Sequence, residues 1–302
     1  MKQTRAAVVR RRRLAVTTSV AVLATTGAVL ATQLPSHART HSGGRSPSTS
    51  QSPGQPPIMP GSPTNAKTLQ QILDAYIAKR HGAISVAVYD GVAKNLIVVH
   101  PKVRGRTASI VKVDILETLL HQTHGDLSED QRETAKAMIE NSNNDAATDL
   151  WNEDGGAPGV HAYNDDLGLK QTTPNVDWGL TTTSAADQLT LVRELQHSSS
   201  LLTASGRRFQ RTLMRHVEAD QRWGISGGVP SGVVIGIKNG WLPVTEDHNR
   251  WAVNSVGWVS GQGKHYVIAV LTQHEVSEDY GIDTIQHISG VVWRHMTVAD
   301  AQ

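Results

Sequence analysis

The chain has 302 residues, 38% of them hydrophobic and 19% charged, a formal net charge of +2 and no cysteine. The lack of cysteine excludes disulfides, thiolate metal sites and a lipid-modified cysteine anchor. Lys2, Arg5 and the run Arg10 to Arg13 carry much of the positive excess, so the remainder is near neutral and gives no case for nucleic-acid binding.

The basic start, MKQTRAAVVRRRR, is followed by an uncharged run, LAVTTSVAVLATTGAVLA. That order reads as an export signal. Small residues offer cleavage after Ala31 or Ala38. The alternative is an uncleaved anchor, since the apolar run is near the roughly 18 residues at which a spanning helix becomes plausible. Residues 1–38 are therefore assigned to export, which makes the protein secreted or cell-envelope-associated. Membrane contact is expected only through such an anchor. Residues 39–65 are rich in Ser, Pro and Gly and cannot bury enough apolar surface to offset their ordering entropy, so they read as a disordered linker. Residues 66–302 are expected to form one domain, a monomer, with a substantial core.

Within that domain KTLQQILDAYIAKR places Leu69, Ile72, Leu73, Tyr76 and Ile77 at helical spacing. AISVAVYD and NLIVVHP read as a hairpin about Asp90-Gly91. A helix is expected from Ser109 to Gln122, and another from Glu129 through Trp151, closed by Gly155-Gly156. A further helix runs to Leu195, with Ser184 and Asp187 spaced as a capping box. GVVIGIKNG, RWAVNSVGWV and HYVIAVLTQ read as three strands, and Ser277 to Met296 as a last helix. Strands near both ends and helices between them predict an antiparallel sheet of about five strands flanked by helices, with a helical subdomain: α/β in the loose sense, or α+β.

Three short motifs carry candidate chemistry. In Ser109-Ile110-Val111-Lys112 a hydroxyl and an amine three residues apart share one helix face. A serine needs a base to become a nucleophile, and a lysine is a base only when burial or nearby positive charge lowers its pKa. The others are Ser142-Asn143-Asn144, inside MIENSNNDAATDLW, and Lys238-Asn239-Gly240, on a predicted strand before Trp241. Each alone is as well explained by a solvated helix, a polar loop or a strand end. His121 and His124 carry no H-E-x-x-H pattern and no carboxylate accompanies them in the sequence, so no metal and no cofactor is expected. Trp178, Trp223 and Trp241 stand beside the predicted site loops, as cleft lining or as packing beneath it. Glu218 to Trp223 reads as a salt-bridged helix end.

Taken in order, the motifs and their flanks TASIVKVDIL, MIENSNNDAATDL and LTTTSAADQL resemble the class A β-lactamase-like serine hydrolases, the penicillin-recognising S-x-x-K enzymes. The resemblance implies that Ser109 is acylated, with Lys112 as base and Ser142 relaying a proton to the leaving nitrogen. Asn144 would orient Lys112 or the substrate amide. It further implies an oxyanion hole from the backbone N–H groups of Ser109 and Trp241. A carboxylate subsite would be formed by Lys238, Asn239 and Gly240. The substrate implied is a β-lactam or a peptidoglycan-like amide or ester. The chain departs from the family at Asn143 and Asn239, and it lacks the E-x-x-L-N element whose glutamate activates the deacylating water. Asp177 is the only acid in the shortened loop PNVDWG and becomes the substitute candidate. The expected behaviour is acylation followed by slow release; the competing reading is a penicillin-binding or sensing module without turnover.

Overall fold

A computed structural model describes residues 66–198 and 201–299. The export segment and the linker expected before residue 66 lie outside the described residues.

Helix α1 (Ala66–Ile77) buries Leu69, Leu73 and Ile77, the positions its apolar spacing selects. Strands β1 (Ala83–Asp90) and β2 (Asn95–Val99) form the expected hairpin. The two-residue strand β3 (Gly105–Arg106) leads through a 3₁₀ turn, Ala108–Ile110, into α2 (Val111–Gln122). Helices α3 (Glu129–Glu140), α4 (Asn144–Glu153) and α5 (Gly156–Leu167) follow. Strand β4 (Thr182–Thr183) pairs with β3. Then come α6 (Ala185–Glu194) and α7 (Ala204–Arg215), the long strands β5 (Val234–Val244), β6 (Arg250–Gly261) and β7 (Lys264–Glu275), and α8 (Glu278–His295).

The main sheet is five-stranded and wholly antiparallel, in the order β2-β1-β7-β6-β5. The predicted architecture is therefore the observed one. Side chains alternate across a strand, and the sheet uses both faces. Tyr266 packs on Trp293 of α8. Tyr89, in register with the neighbouring residue Val267, meets Arg193 of α6. Helices thus cover both sides, and β5 is left as an edge strand open toward the helical half.

Two expectations change. The stretch from Glu129 to Trp151 is two helices, because Ser142 adopts a left-handed φ of 54° between them. Asn143 then restarts the chain as the N-cap of α4, its side chain accepting from Ala146 N–H at 2.8 Å. Only half of the predicted capping box at Ser184 forms. Ser184 accepts from Asp187 N–H, but the Asp187 carboxylate turns to Gln171 N–H and Thr172 Oγ1, fastening the preceding loop instead.

Candidate active site

The turn that carries Ser109 is built by its neighbours. Thr107, fully buried, donates its N–H to Thr181 O at 2.8 Å, and its carbonyl accepts from Asn254 Nδ2 at 3.0 Å. The next residue, Ala108, is held at a left-handed φ of 48°. That conformation costs an L-residue of order 1–2 kcal/mol and persists only where the surroundings impose it. The strand β5 imposes it from one side. A Cβ on Gly240 would lie 2.6 Å from the backbone nitrogens of both Ser109 and Ile110, so only glycine lets the strand reach the turn. The backbone of Ser109 is thereby set against the outer edge of β5, with Trp241 the next residue along it.

Lys112 begins the first full turn of α2 and has no exposed surface. Its Nζ lies 3.1 Å from Ser109 Oγ, 2.6 Å from the Ser142 carbonyl, 2.7 Å from Asn144 Oδ1 and 3.2 Å from Ser142 Oγ. Burial lowers its pKa from 10.5 to about 7. In the neutral form the amine has two N–H bonds. The carbonyl of Ser142 and Oδ1 of Asn144 can only accept, so they take those two donors. The lone pair is then left for the Ser109 hydroxyl, the arrangement a general base requires.

The left-handed turn at Ser142 brings its hydroxyl between two amines. Lys238, on β5 and fully buried, reaches Ser142 Oγ at 2.9 Å and the Asn239 carbonyl at 3.0 Å. Its pKa is lowered well below the ordinary lysine range, by burial first and by Lys112 second. Ser109, Lys112, Ser142 and Lys238 thus form one continuous chain of short contacts. Asn143, where the family has aspartate, serves as a helix cap, a position that Asn and Asp fill about equally.

Asn239 departs from expectation. Its side chain is fully buried, and Nδ2 donates to Gln221 O at 2.7 Å and to Trp223 O at 3.0 Å. Both amide hydrogens are spent on the loop beside β5, so this side chain has no donor left for a substrate carboxylate. The Glu218–Trp223 segment is correspondingly not a salt-bridged helix end. Among the described residues its polar contacts are hydrogen bonds, including Glu218 N–H to Glu140 O, Asn141 Nδ2 to the Glu218 carboxylate, and Gln221 Nε2 to Asn141 O.

The three tryptophans divide between roof and wall. The Trp178 ring centroid lies 5.0 Å from Lys112 Nζ, and its indole N–H donates to Thr148 Oγ1 at 3.2 Å. Trp223 and Trp241 meet edge to face at 5.6 Å. Asp177 is exposed, on a groove lined by Thr148, Trp151, Asn152 and Trp178, and makes no hydrogen bond to Ser109, Lys112, Ser142 or Lys238. Glu153 bonds Gln131 Nε2, away from the motifs. No group of His, Cys, Asp and Glu suited to a metal occurs among the described residues.

Reasoning from sequence missed two further buried ionisable groups on α2. Asp114 and Glu117 are both buried; Asp114 accepts from Asn164 Nδ2 at 3.0 Å and Glu117 from Tyr163 O–H at 2.8 Å. Their spacing from Lys112 within one helix, VKVDILE, was the available signal.

An antiparallel sheet flanked by helices, with a serine at a helix entrance and a lysine one turn on, is the arrangement against which known proteins can be set. The chain belongs to the β-lactamase enzyme family, whose model matches residues 129–296. Ser109 and Lys112 lie before that span, and Ser142 and Lys238 lie within it. Among solved structures it is similar to the TLA-1 extended-spectrum β-lactamase, at 19% identity and a TM-score of 0.67, covering 76% of this chain and 98% of that one. A class A β-lactamase from Bacteroides cellulosilyticus is similar at 19% identity and a TM-score of 0.67, covering 78% and 99%. PBP-A is similar at 20% identity and a TM-score of 0.66, covering 79% and 98%. At these identities the likeness defines the fold. No curated protein matches the chain.

Proposed function

We propose that the protein is an exported, monomeric serine hydrolase that forms an acyl-enzyme on Ser109 with a β-lactam or a peptidoglycan-like amide or ester. The observation that carries this reading is the contact chain Ser109–Lys112–Ser142–Lys238 around a lysine whose two donors are already committed. Lys112 takes the Ser109 proton as Oγ bonds to the carbonyl carbon. Backbone N–H groups of Ser109 and Trp241 hold the developing oxyanion, donors worth about 3 kcal/mol each where they have been tested. As the carbon–nitrogen bond breaks, Ser142 hands its proton to the leaving nitrogen and is resupplied by Lys112. The serine ester remains.

Release requires a water and a base for its proton. Among the described residues no carboxylate is hydrogen-bonded to this chain of groups, and the Trp178 ring lies over Lys112. These features support slow deacylation. They also favour a second reading, a penicillin-binding or sensing module that is acylated and does not turn over. Intact-mass measurement after exposure to benzylpenicillin, with peptide mapping, tests both. A stoichiometric adduct on the Ser109 peptide, absent in Ser109→Ala, is expected, with weak turnover of a chromogenic cephalosporin. Labelling that persists in Ser109→Ala would sink the nucleophile, and rapid turnover without an adduct would sink slow release. An adduct with no turnover at all selects the sensing reading.

A further inference from the structure

We propose that the outward face of α7 is a docking surface for an anionic polymer with closely spaced phosphate groups. It stands apart from the chemistry of Ser109.

The helix reads ASGRRFQRTLMR, with four arginines and no acid. It buries Gly206, Gln210, Leu213 and Met214. At about 100° per residue, Arg208, Arg211 and Arg215 fall within about 60° of arc, opposite that buried face. All three are exposed. Among the described residues none of their side chains makes an ion pair or a hydrogen bond; Arg211 has only the Trp258 ring, 5.8 Å from its guanidinium. By contrast, Arg207 bonds the Leu202 carbonyl, and Arg222 those of Arg215 and Ile235.

Helix stability does not account for the stripe. Cations favour a helix C-terminus, which suits Arg215 in the last turn but not Arg208 near the start. Like charges three and four residues apart weaken a helix. A ligand that neutralises them removes that cost.

The two flanks of α7 differ. Toward the sheet, burial and then the charges of Arg211 and Lys94 hold His265 below the ordinary histidine range. Asp90 opposes them there, but it is buried and accepts from the N–H groups of Val92, Ala93 and Thr297. On the other flank is α3, whose carboxylates could compete for the arginines. It meets α7 through Arg132, 5.3 Å over the Phe209 ring. Phe209 stands about 100° round the axis from Arg208. Glu140, at the end of α3, faces His216 at 4.0 Å, and Glu218 accepts from the Asn141 amide.

The spacing selects the partner. Guanidinium forks grip phosphate oxygens in pairs. The three arginines follow one another at about 4.5 and 6 Å along the axis. An isolated anion meets one of them, whereas a chain of phosphates meets all three. The other exposed positions of α7 are Ala204, Ser205 and Thr212. The face thus offers no large apolar side chain for insertion into a bilayer and no exposed ring for stacking a nucleic-acid base.

The test is binding of labelled linear polyphosphate to the full chain, read by fluorescence anisotropy over a salt series. Arg208→Gln/Arg211→Gln/Arg215→Gln should weaken binding about tenfold or more and lower the log–log salt slope by about 2, three contacts at roughly 0.7 each. Lys67→Gln/Lys79→Gln/Lys102→Gln removes the same charge from exposed positions elsewhere. That control should bind within about twofold of the wild type, because it leaves the local field of α7 intact. The N-terminal arginines are common to every protein compared, so the difference reads α7. Arg208→Gln/Arg215→Gln spares the contact with Trp258 and should show an intermediate loss, which keeps the test decisive if the triple variant does not fold. Equal losses in the α7 variant and the control, or no loss in the α7 variant, overturn the proposal. An α7 variant that keeps polyphosphate binding but no longer sediments with phosphatidylglycerol vesicles overturns it in favour of a lipid surface. One that loses more affinity for a DNA duplex than for polyphosphate overturns it in favour of a nucleic acid.

Discussion

One helix, α2, buries ionisable groups on two sides, and the sides differ in how they are satisfied. Toward Ser142 and α4, Lys112 has four oxygens within 3.2 Å of its Nζ. Toward α5, Asp114 and Glu117 each receive one hydrogen bond, and Asp114 Oδ1 and Glu117 Oε1 have none. Asp154, at the end of α4, has neither oxygen bonded. Burial drives both sides toward neutrality: Lys112 down to about 7, Asp114 up to about 7, Glu117 well above the carboxylate range and Asp154 up to about 9. Desolvation of the same kind thus makes a base where acceptors organise the lone pair. Where a carboxyl is merely enclosed, it makes a group that holds its proton.

The largest expected effect breaks the first side. Lys112→Ala removes the acceptor of the Ser109 proton, and general-base catalysis is typically worth about 10² to 10⁴ in rate. Acylation by any reactive donor should fall by that order, measured as adduct formation over time on protein whose circular dichroism is unchanged. Acylation at the wild-type rate would take Lys112 out of the mechanism. In the wild-type protein the acylation rate should rise with pH through about 7, as the amine loses its proton, and level off above. Asp114→Asn should leave that limb where it is, because burial alone is the cause of the Lys112 shift. A limb that moves with Asp114 would mean that the two sides are electrostatically one.

The acidic side should instead appear in stability. A carboxyl whose folded pKa is raised binds its proton more tightly in the folded state. Its contribution is complete below the unfolded pKa, near 4, and is lost as pH rises through the folded value. For Asp154 that window runs from about 4 to about 9. Lys112 has the opposite sign, since its lowered pKa penalises folding below about 7 and the penalty fades toward 10.5. Asp154→Asn, which cannot ionise, should lose less melting temperature between pH 6 and 9 than the wild type. The difference is at most about 1.4 kcal/mol per pH unit. Parallel melting curves would show that water reaches Asp154.

Much of this was legible in the chain itself. The strand runs, the hairpin at Asp90-Gly91 and the terminal helix are local patterns, and the three motifs are short. What stayed hidden depends on distant partners. Ser142 breaks a helical stretch with no Gly or Pro to mark it. Gly155-Gly156 reads as a terminator, yet Gly156 opens α5. Asn239 reads as a donor to ligand because nothing in Lys-Asn-Gly reveals that carbonyls 16 and 18 residues away claim its amide. Nothing in the local sequence marks Asp114 and Glu117 as buried beneath α5.

The smallest effect expected concerns the roof over the basic side. The Trp178 ring stands 5.0 Å from Lys112 Nζ and is pinned by its bond to Thr148. It acts in two opposed ways. Excluding water lowers the amine's pKa, whereas the electron-rich ring face favours the ammonium form by about 0.5–2 kcal/mol. Desolvation is the cause that shifts Lys112, so removing the ring should rehydrate the amine and move the acylation limb upward by a fraction of a pH unit. Water admitted by Trp178→Ala should also reach the serine ester, shortening the adduct lifetime a few-fold at constant pH. Trp178→Phe keeps most of the cover and loses the bond to Thr148, so it should fall between. A limb that moves downward in Trp178→Ala would mean that the ring's charge stabilisation outweighs its exclusion of water. Adduct lifetimes equal in all three proteins would show that slow release is set by the missing base alone.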